Sequence, residues 1–316
     1  MTKLVEDLTG KEALESALIA ARDYRKHKIR VLELNENQGC SSTTFVVDYE
    51  DQTKSIIQLR NDRIDTILVS LAHGILGDIV PLVRAVKASH TMFAYGMRFI
   101  QGSRWEPLII TSLKEDMNIA GQLGSILAKC RLGGTTSEAI INYTIVPRLE
   151  SIIRDQLPSL EDKHPRLRGW FERLLARAPN VKRLPLTLTH IDVNPFNVIV
   201  DESSPPQIVG LIDWQGATIL PFAMNAYQIR LIAVLNRQGI DCPDSTTATP
   251  IATAFWQTLT QDIDPELKGA VLDAMSIGMI LFCDFHEDLG IPPERILQNT
   301  VARLDWLEEI YRPLCK

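Results

Sequence analysis

Leu188-Thr189-His190-Ile191-Asp192-Val193-Asn194-Pro195-Phe196-Asn197, followed by Gly210-Leu211-Ile212-Asp213-Trp214, is the stretch from which the rest of this chain is read. It sets His, Asp and Asn in an H-x-D-x-x-x-x-N loop and puts a second Asp at the end of the next apolar run. H-x-D alone is common. The full spacing, with a strand, a turn, a second strand and Ile-Asp-Trp behind it, is much more specific. The plainer alternative is a polar loop whose Asp and Asn only satisfy turn backbone groups.

Kinase-type phosphoryl transfer uses these residue types in this order. Asp192 is the candidate base, since a carboxylate beside an attacking hydroxyl orients it and takes its proton late in the reaction. His190 holds the loop through hydrogen bonds rather than doing chemistry. Asn197 lies five residues past Asp192, far enough for the chain to turn back, and its amide oxygen suits magnesium. Asp213 closes the following hairpin, where a carboxylate bridges the metal to the phosphates of ATP.

Outward from this loop, the pattern predicts a strand-rich first part and a helical remainder. Thr9-x-x-Glu12 reads as a capping box for a helix over Lys11–Lys26, with Leu14, Leu18 and Ala21 on one face. Strand-like runs follow at Ile29–Leu34, Thr43–Tyr49 and Lys54–Arg60, the last two joined by a polar turn. A helix using Ile64, Ile67, Leu68 and Leu71 reaches Leu76, and a strand covers Thr91–Phe99. Helices are then predicted at Asn118–Cys130, Ser137–Gln156 and Pro165–Ala176, with a capping box at Thr135-x-x-Glu138 and Pro165 in a first turn. Strands Asn197–Asp201 and Ile208–Ile212 flank the Ser203-Ser204-Pro205-Pro206 turn, and the rest reads as helical to Leu314. The division implied is residues 1–98 and 99–316.

The segment from Thr189 to Asn225 resembles the phosphate-transfer core of the aminoglycoside phosphotransferase family, and within it the fungal kinase-like members. Upstream, residues 37–47 (NQGCSSTTFVV) resemble the phosphate-covering loop, Ser55–Arg60 the third strand, and Met92–Gly102 the approach to the hinge. The resemblance implies an α+β bilobal, protein-kinase-like fold. A small antiparallel-sheet N-lobe would cover ATP, and a larger helical C-lobe would hold the catalytic loop, the magnesium site and the acceptor pocket. It also implies phosphorylation of a small-molecule hydroxyl.

The first part departs from that pattern. Gly39 stands alone before Ser41, Ser42, Thr43 and Thr44, whereas a phosphate cradle wants several glycines. Gln58 occupies the place of the third-strand lysine. Arg60 lies two residues on, on the same strand face, and supplies either the missing charge or an ordinary strand end. No Glu occurs between Arg60 and Glu106, leaving Asp65 as the nearest acid in the following helix. Ile191 stands where the family often has Gly. Tyr95 and Met97 line an adenine pocket or pack. Trp214 packs under the Asp213 turn. Asp284 and Glu287 face a cationic acceptor or are simply solvated.

Composition narrows the classes. The 316 residues are 45% hydrophobic and 23% charged, enough for a packed core, and the net charge of -6 argues against a nucleic-acid partner. Five scattered cysteines without C-x-x-C read as reduced thiols in a cytoplasmic protein, with no zinc site. The start lacks an apolar signal core, and the longest apolar stretch, Ala270–Phe285, carries Asp273 and Asp284 and is too short to span a membrane. The leading function is an ATP- and Mg-dependent phosphotransferase with a small-molecule alcohol acceptor. The alternatives are a kinase-like binding protein that no longer transfers phosphate, and a variant that phosphorylates a carboxylate.

Overall fold

The computed structural model describes residues 10–35, 38, 42–89, 92–106, 111–160, 162–237, 240–242, 244–285 and 294–316. Contacts divide the chain into two units: the residues up to Gly102 together with Val209–Gly216, and Ser103–Ile208 together with Ala217–Lys316.

The first unit is an antiparallel sheet with a helix on one face. Helix α1 (Gly10–Tyr24) leads into β1 (Ile29–Leu34), β2 (Thr43–Tyr49) and β3 (Lys54–Arg60). Helix α2 (Thr66–Leu76), β4 (Arg84–Val86) and β5 (Phe93–Arg98) follow, giving the sheet order β1-β2-β3-β5-β4. The registers pair Thr44 with Gln58, Gln58 with Tyr95, and Arg60 with Phe93.

The α1 face that packs on the sheet is made of small residues. Ala13, Ala17, Ala20 and Ala21 meet Phe45, Val47, Tyr49, Ile57, Leu59 and Ala94. Leu14, expected on that face, is 47% exposed, because alanines let the helix lie close to the strands. Closeness also explains Gly96, where a Cβ would fall 2.3 Å from the Tyr24 ring. Ile57 and Leu59 are fully buried there, worth roughly 1.5–3 kcal/mol each relative to exposure. In α2 the expectation also shifts. Asp65 caps the helix by accepting from the N–H groups of Ile67 and Leu68. Ile64 precedes the helix, its N–H bonded to the Tyr95 hydroxyl, and Ile67 and Leu71 face outward. The 3₁₀ turn Trp214–Gly216 lies against α2.

The second unit is mostly helical. Strand β6 (Ser103–Arg104) pairs with β8 (Val198–Val200). Helix α3 (Leu113–Lys129) starts at a capping box of Ser112 and Glu115 that the sequence reading missed. A helical run follows as α4 (Glu138–Ile140) and α5 (Val146–Ser151), with π turns at Ile141–Ile145 and Ile152–Gln156. Its expected Thr135 capping box does not form. The Thr135 hydroxyl instead donates to the Leu132 carbonyl and accepts the Leu186 N–H, which satisfies a strand rather than a helix end.

Helix α6 (Pro165–Val181) begins at Pro165, as its fixed φ and missing donor suit. The stretch after it is not all helix. Strand β7 (Leu186–Thr189) pairs with β10 (Thr218–Pro221) across the motif. Strand β9 (Ile208–Leu211), which from Val209 on counts with the first unit, follows the turn that Asp201 and Gln207 close. After α7 (Ile229–Ala233), β11 (Leu235–Arg237) and β12 (Ile240–Cys242) form a hairpin. Strand β9 lies where the sequence places one, whereas β7 went unmarked and β10, β11 and β12 correct the all-helical expectation beyond Ile212, since their pairing partners are remote in sequence or their runs too short to show a period.

Helices α8 (Ser245–Leu259), α9 (Lys268–Met279) and α10 (Glu294–Tyr311) complete the unit. Every residue of α9 from Ala270 to Met279 is buried, which accounts for its apolar residues falling on all sides of the helix. The one charge in that buried stretch, Asp273, is paired with Arg312 at 3.1 Å and Arg177 at 3.6 Å. Helix α3 lies against α8 through Gly124, whose added Cβ would sit 2.4 Å from the Phe255 carbonyl. Among the described residues no helix is long and apolar enough to cross a membrane, and Cys130 and Cys315 are free thiols.

Candidate functional site

The predicted residues fall into two groups, each built within its own unit. In the second unit, β7 ends at Thr189 and delivers the chain into the His190–Asn197 loop. Pro195–Asn197 form a 3₁₀ turn, with the Asn194 side chain accepting the Phe196 N–H, and the chain enters β8. Asp192 is exposed while its supports are buried: His190 is 1% and Asn197 7% exposed.

Each oxygen of the Asp192 carboxylate accepts from a different amide. Asn194 Nδ2 donates to Oδ1 at 2.8 Å, and Asn197 Nδ2 donates to Oδ2 at 3.2 Å. Asn197 Nδ2 also donates to the Asp192 carbonyl at 2.8 Å. With its nitrogen committed to Asp192, the amide's other polar atom is its oxygen, an acceptor. The Asp192 N–H donates to His190 Nδ1 at 3.1 Å, so that nitrogen carries no proton and Nε2 does.

Two further side chains, not singled out from the sequence, tie the loop down. Asn225 Nδ2 donates to the His190 carbonyl. Gln228 accepts the Val193 N–H at 2.6 Å and donates to the Ile191 carbonyl. Both are nearly fully buried. They sit on the turn Ala223–Gln228, which is pressed against α9. At Gly278 an added Cβ would fall 1.5 Å from the Met224 carbonyl, so only glycine lets that turn approach. The sequence signal for this support was a pair of amides after the motif, with no spacing rule to mark them.

In the first unit, Gln58, Arg60, Tyr95 and Met97 lie on the sheet face opposite α1. Tyr95 and Met97 are buried, and the Tyr95 hydroxyl accepts the Ile64 N–H. Arg60 is not a surface residue: it is 3% exposed, and its Nε and Nη2 donate to the two oxygens of Asp62 at 3.2 and 3.1 Å. Asp65, the expected acidic partner, is occupied in capping α2. Asp213 takes a positive φ of 69°, and the Trp214 indole N–H donates to the Leu211 carbonyl, fixing the bend on its far side. Gly39 and Glu287 lie outside the described residues, as does the side chain of Asp284. Among the described residues no three His, Cys, Asp or Glu side chains gather as a metal cage.

Residues 72–227, which span the whole loop and its Asn225 support, match the model of the phosphotransferase enzyme family, APH. The chain belongs to this family. Among solved structures this family member is similar to aminoglycoside phosphotransferase APH(4)-Ia, at 13% identity over 97% of this chain and 98% of that one, with a TM-score of 0.57. It is also similar to macrolide 2'-phosphotransferase MphH from Brachybacterium faecium, at 17% identity over 96% and 98%, with a TM-score of 0.53. A Plasmodium vivax ethanolamine kinase matches at 14% identity over 89% and 84%, with a TM-score of 0.53. At these identities the likeness is one of fold, and the α+β, protein-kinase-like architecture is the one it shares with them. A search of the curated proteins finds no match to this sequence.

Proposed function

We propose that this protein transfers the γ-phosphoryl group of ATP to a hydroxyl of a small molecule. The observation that carries the reading is the Asp192 carboxylate: exposed, and oriented through both oxygens by Asn194 and Asn197. Such a carboxylate keeps lone pairs for an incoming hydroxyl while its direction is fixed. In the step itself the acceptor oxygen bonds to the γ-phosphorus, the bond to the bridging oxygen of ADP breaks, and the acceptor proton passes to Asp192. His190, Asn225 and Gln228 contribute by holding the loop backbone.

Magnesium fits the donor set. It prefers oxygen and is commonly held by one or two protein groups together with substrate phosphates and water. The Asn197 amide oxygen and the Asp213 carboxylate are the groups that would hold it; when bound it neutralises charge on the phosphates. On the nucleotide side the reading assigns Arg60 and Gln58, with Gly39, to the phosphates, and Tyr95 and Met97 to the base. A thermostable mutant of APH(4)-Ia is known in ternary complex with AMP-PNP and hygromycin B, which supports a nucleotide and a small acceptor as the two substrates.

A second reading, a kinase-like binding protein without transfer, is favoured by one observation: Gln58 replaces the strand lysine while Asp65 serves as a helix cap. ADP release from MgATP across a panel of small alcohols decides between them. Acceptor-stimulated release by the wild type that is lost in Asp192→Asn, with MgATP binding kept, supports transfer. Nucleotide binding with no ADP on any acceptor supports the second reading.

A further inference from the structure

We infer that Asp62 is the positioning carboxylate of this protein's phosphate-holding cation, Arg60, so that a pair two residues apart in the chain stands in for the usual lysine and helix glutamate. The inference rests on the proposed nucleotide-binding function and adds to it a residue that the family's own pattern does not contain.

Three observations on one sheet face carry it. First, Arg60 is buried although charged, whereas Asp62 is exposed, with side-chain exposures of 4% and 66%. A buried guanidinium whose only charged partner among the described residues lies out in solvent has the geometry of a cation held in place for something else. Second, Asp62 grips Arg60 side-on through Nε and Nη2, which leaves Nη1 on the opposite edge of the planar group. Nη1 is itself buried and, among the described residues, bonds nothing. Third, Gln58 stands on the same face about 7 Å along the strand, and its Oε1 is also buried, without a bond among the described residues. An amide that turns over offers its Nε2 at that point instead. Gln58 and Arg60 then present two donors in a row, which matches the oxygens of a di- or triphosphate better than any neutral ligand.

Position and charge make opposite demands on Asp62. By charge alone, removing a carboxylate beside a phosphate site strengthens the binding of an anion. If Asp62 orients Arg60, removing it weakens that binding, since the guanidinium loses the fork that fixes Nη1. The sign of the change therefore separates the two roles.

The test is calorimetric titration of MgATP and of adenosine into wild type, Asp62→Asn, Asp62→Glu and Arg60→Gln, with the unfolding temperature as fold control. The expected result is a loss of MgATP affinity of roughly fivefold to tenfold in Asp62→Asn and more in Arg60→Gln. Adenosine affinity and unfolding temperature stay near wild type, and Asp62→Glu recovers part of the loss. Unchanged or tighter MgATP binding in Asp62→Asn overturns the inference while leaving the nucleotide site standing. Parallel loss of adenosine and MgATP affinity overturns it too, by showing a structural role. A wild type that binds no MgATP overturns the proposed function, and this inference with it.

Discussion

Gln228 accepts the Val193 N–H at 2.6 Å, and the same amide donates to the Ile191 carbonyl. It thus holds the backbone on both sides of Asp192 without touching the carboxylate. Gln228→Leu leaves the buried Val193 N–H unpaired and the part-buried Ile191 carbonyl without its donor, so the folded state should lose about 1–3 kcal/mol for the buried group alone. Denaturant unfolding measures that loss, and kcat for the transfer should fall more than the KM for ATP rises. A Gln228→Leu protein with wild-type kcat would mean that the loop needs no such grip.

The support extends one layer deeper, to Gly278. A methyl group there collides with the Met224 carbonyl, which leads directly into Asn225 and Gln228. Gly278→Ala should therefore destabilise by roughly 1–3 kcal/mol or more and lower activity as well. Gly121→Ala is the control, because its added Cβ meets its neighbours only at 3.7 Å. Equal unfolding temperatures for the two variants would contradict this account.

Asp213 has left-handed backbone, with φ of 69°. Asn tolerates that region, whereas Ala is strained there by about 1–2 kcal/mol. Asp213→Asn should keep the unfolding temperature near wild type and Asp213→Ala should lower it. Both should lose the magnesium dependence of ATP binding, read by titration with and without the metal. Retained dependence in Asp213→Asn would remove this residue from the metal site.

The turn between β8 and β9 gives a pH-dependent term. The Ser203 hydroxyl and the Gln207 N–H, both donating to Asp201, hold its carboxyl below the usual carboxylate range. A group depressed in the folded state contributes stability that is complete above its unfolded pKa of about 3.9 and is lost as pH falls through the lower folded value. Wild type should accordingly be more stable than Asp201→Ala at neutral pH, and the two should converge in acid below about pH 4. Unfolding curves at pH 7 and pH 3 check this, and a gap that widens in acid would refute it.

Much of the fold could be read along the chain because its signals are local. The strands Ile29–Leu34, Thr43–Tyr49 and Lys54–Arg60 occur at the bounds that alternation and turn residues mark out. The α1 face was misread because leucines outweigh alanines in any apolar pattern, yet alanines are what close packing on a sheet selects. The strands β7 and β10 were missed because each is only four residues long and their pairing spans the motif.

For the candidate site, the sequence by itself determined the loop: Asp192, Asn194 and Asn197 are close along the chain, so their spacing already constrains how they meet. Only the tertiary structure decided what holds that loop and what accompanies the strand cation. Asn225 and Gln228 reach His190, Ile191 and Val193 from 35 to 37 residues away, through backbone groups that every residue possesses. No residue-type pattern records such bonds. Arg60 became a buried cation with Asp62 beside it rather than a surface residue at a strand end, because burial depends on what packs over a side chain, and that is settled only when the chain has folded.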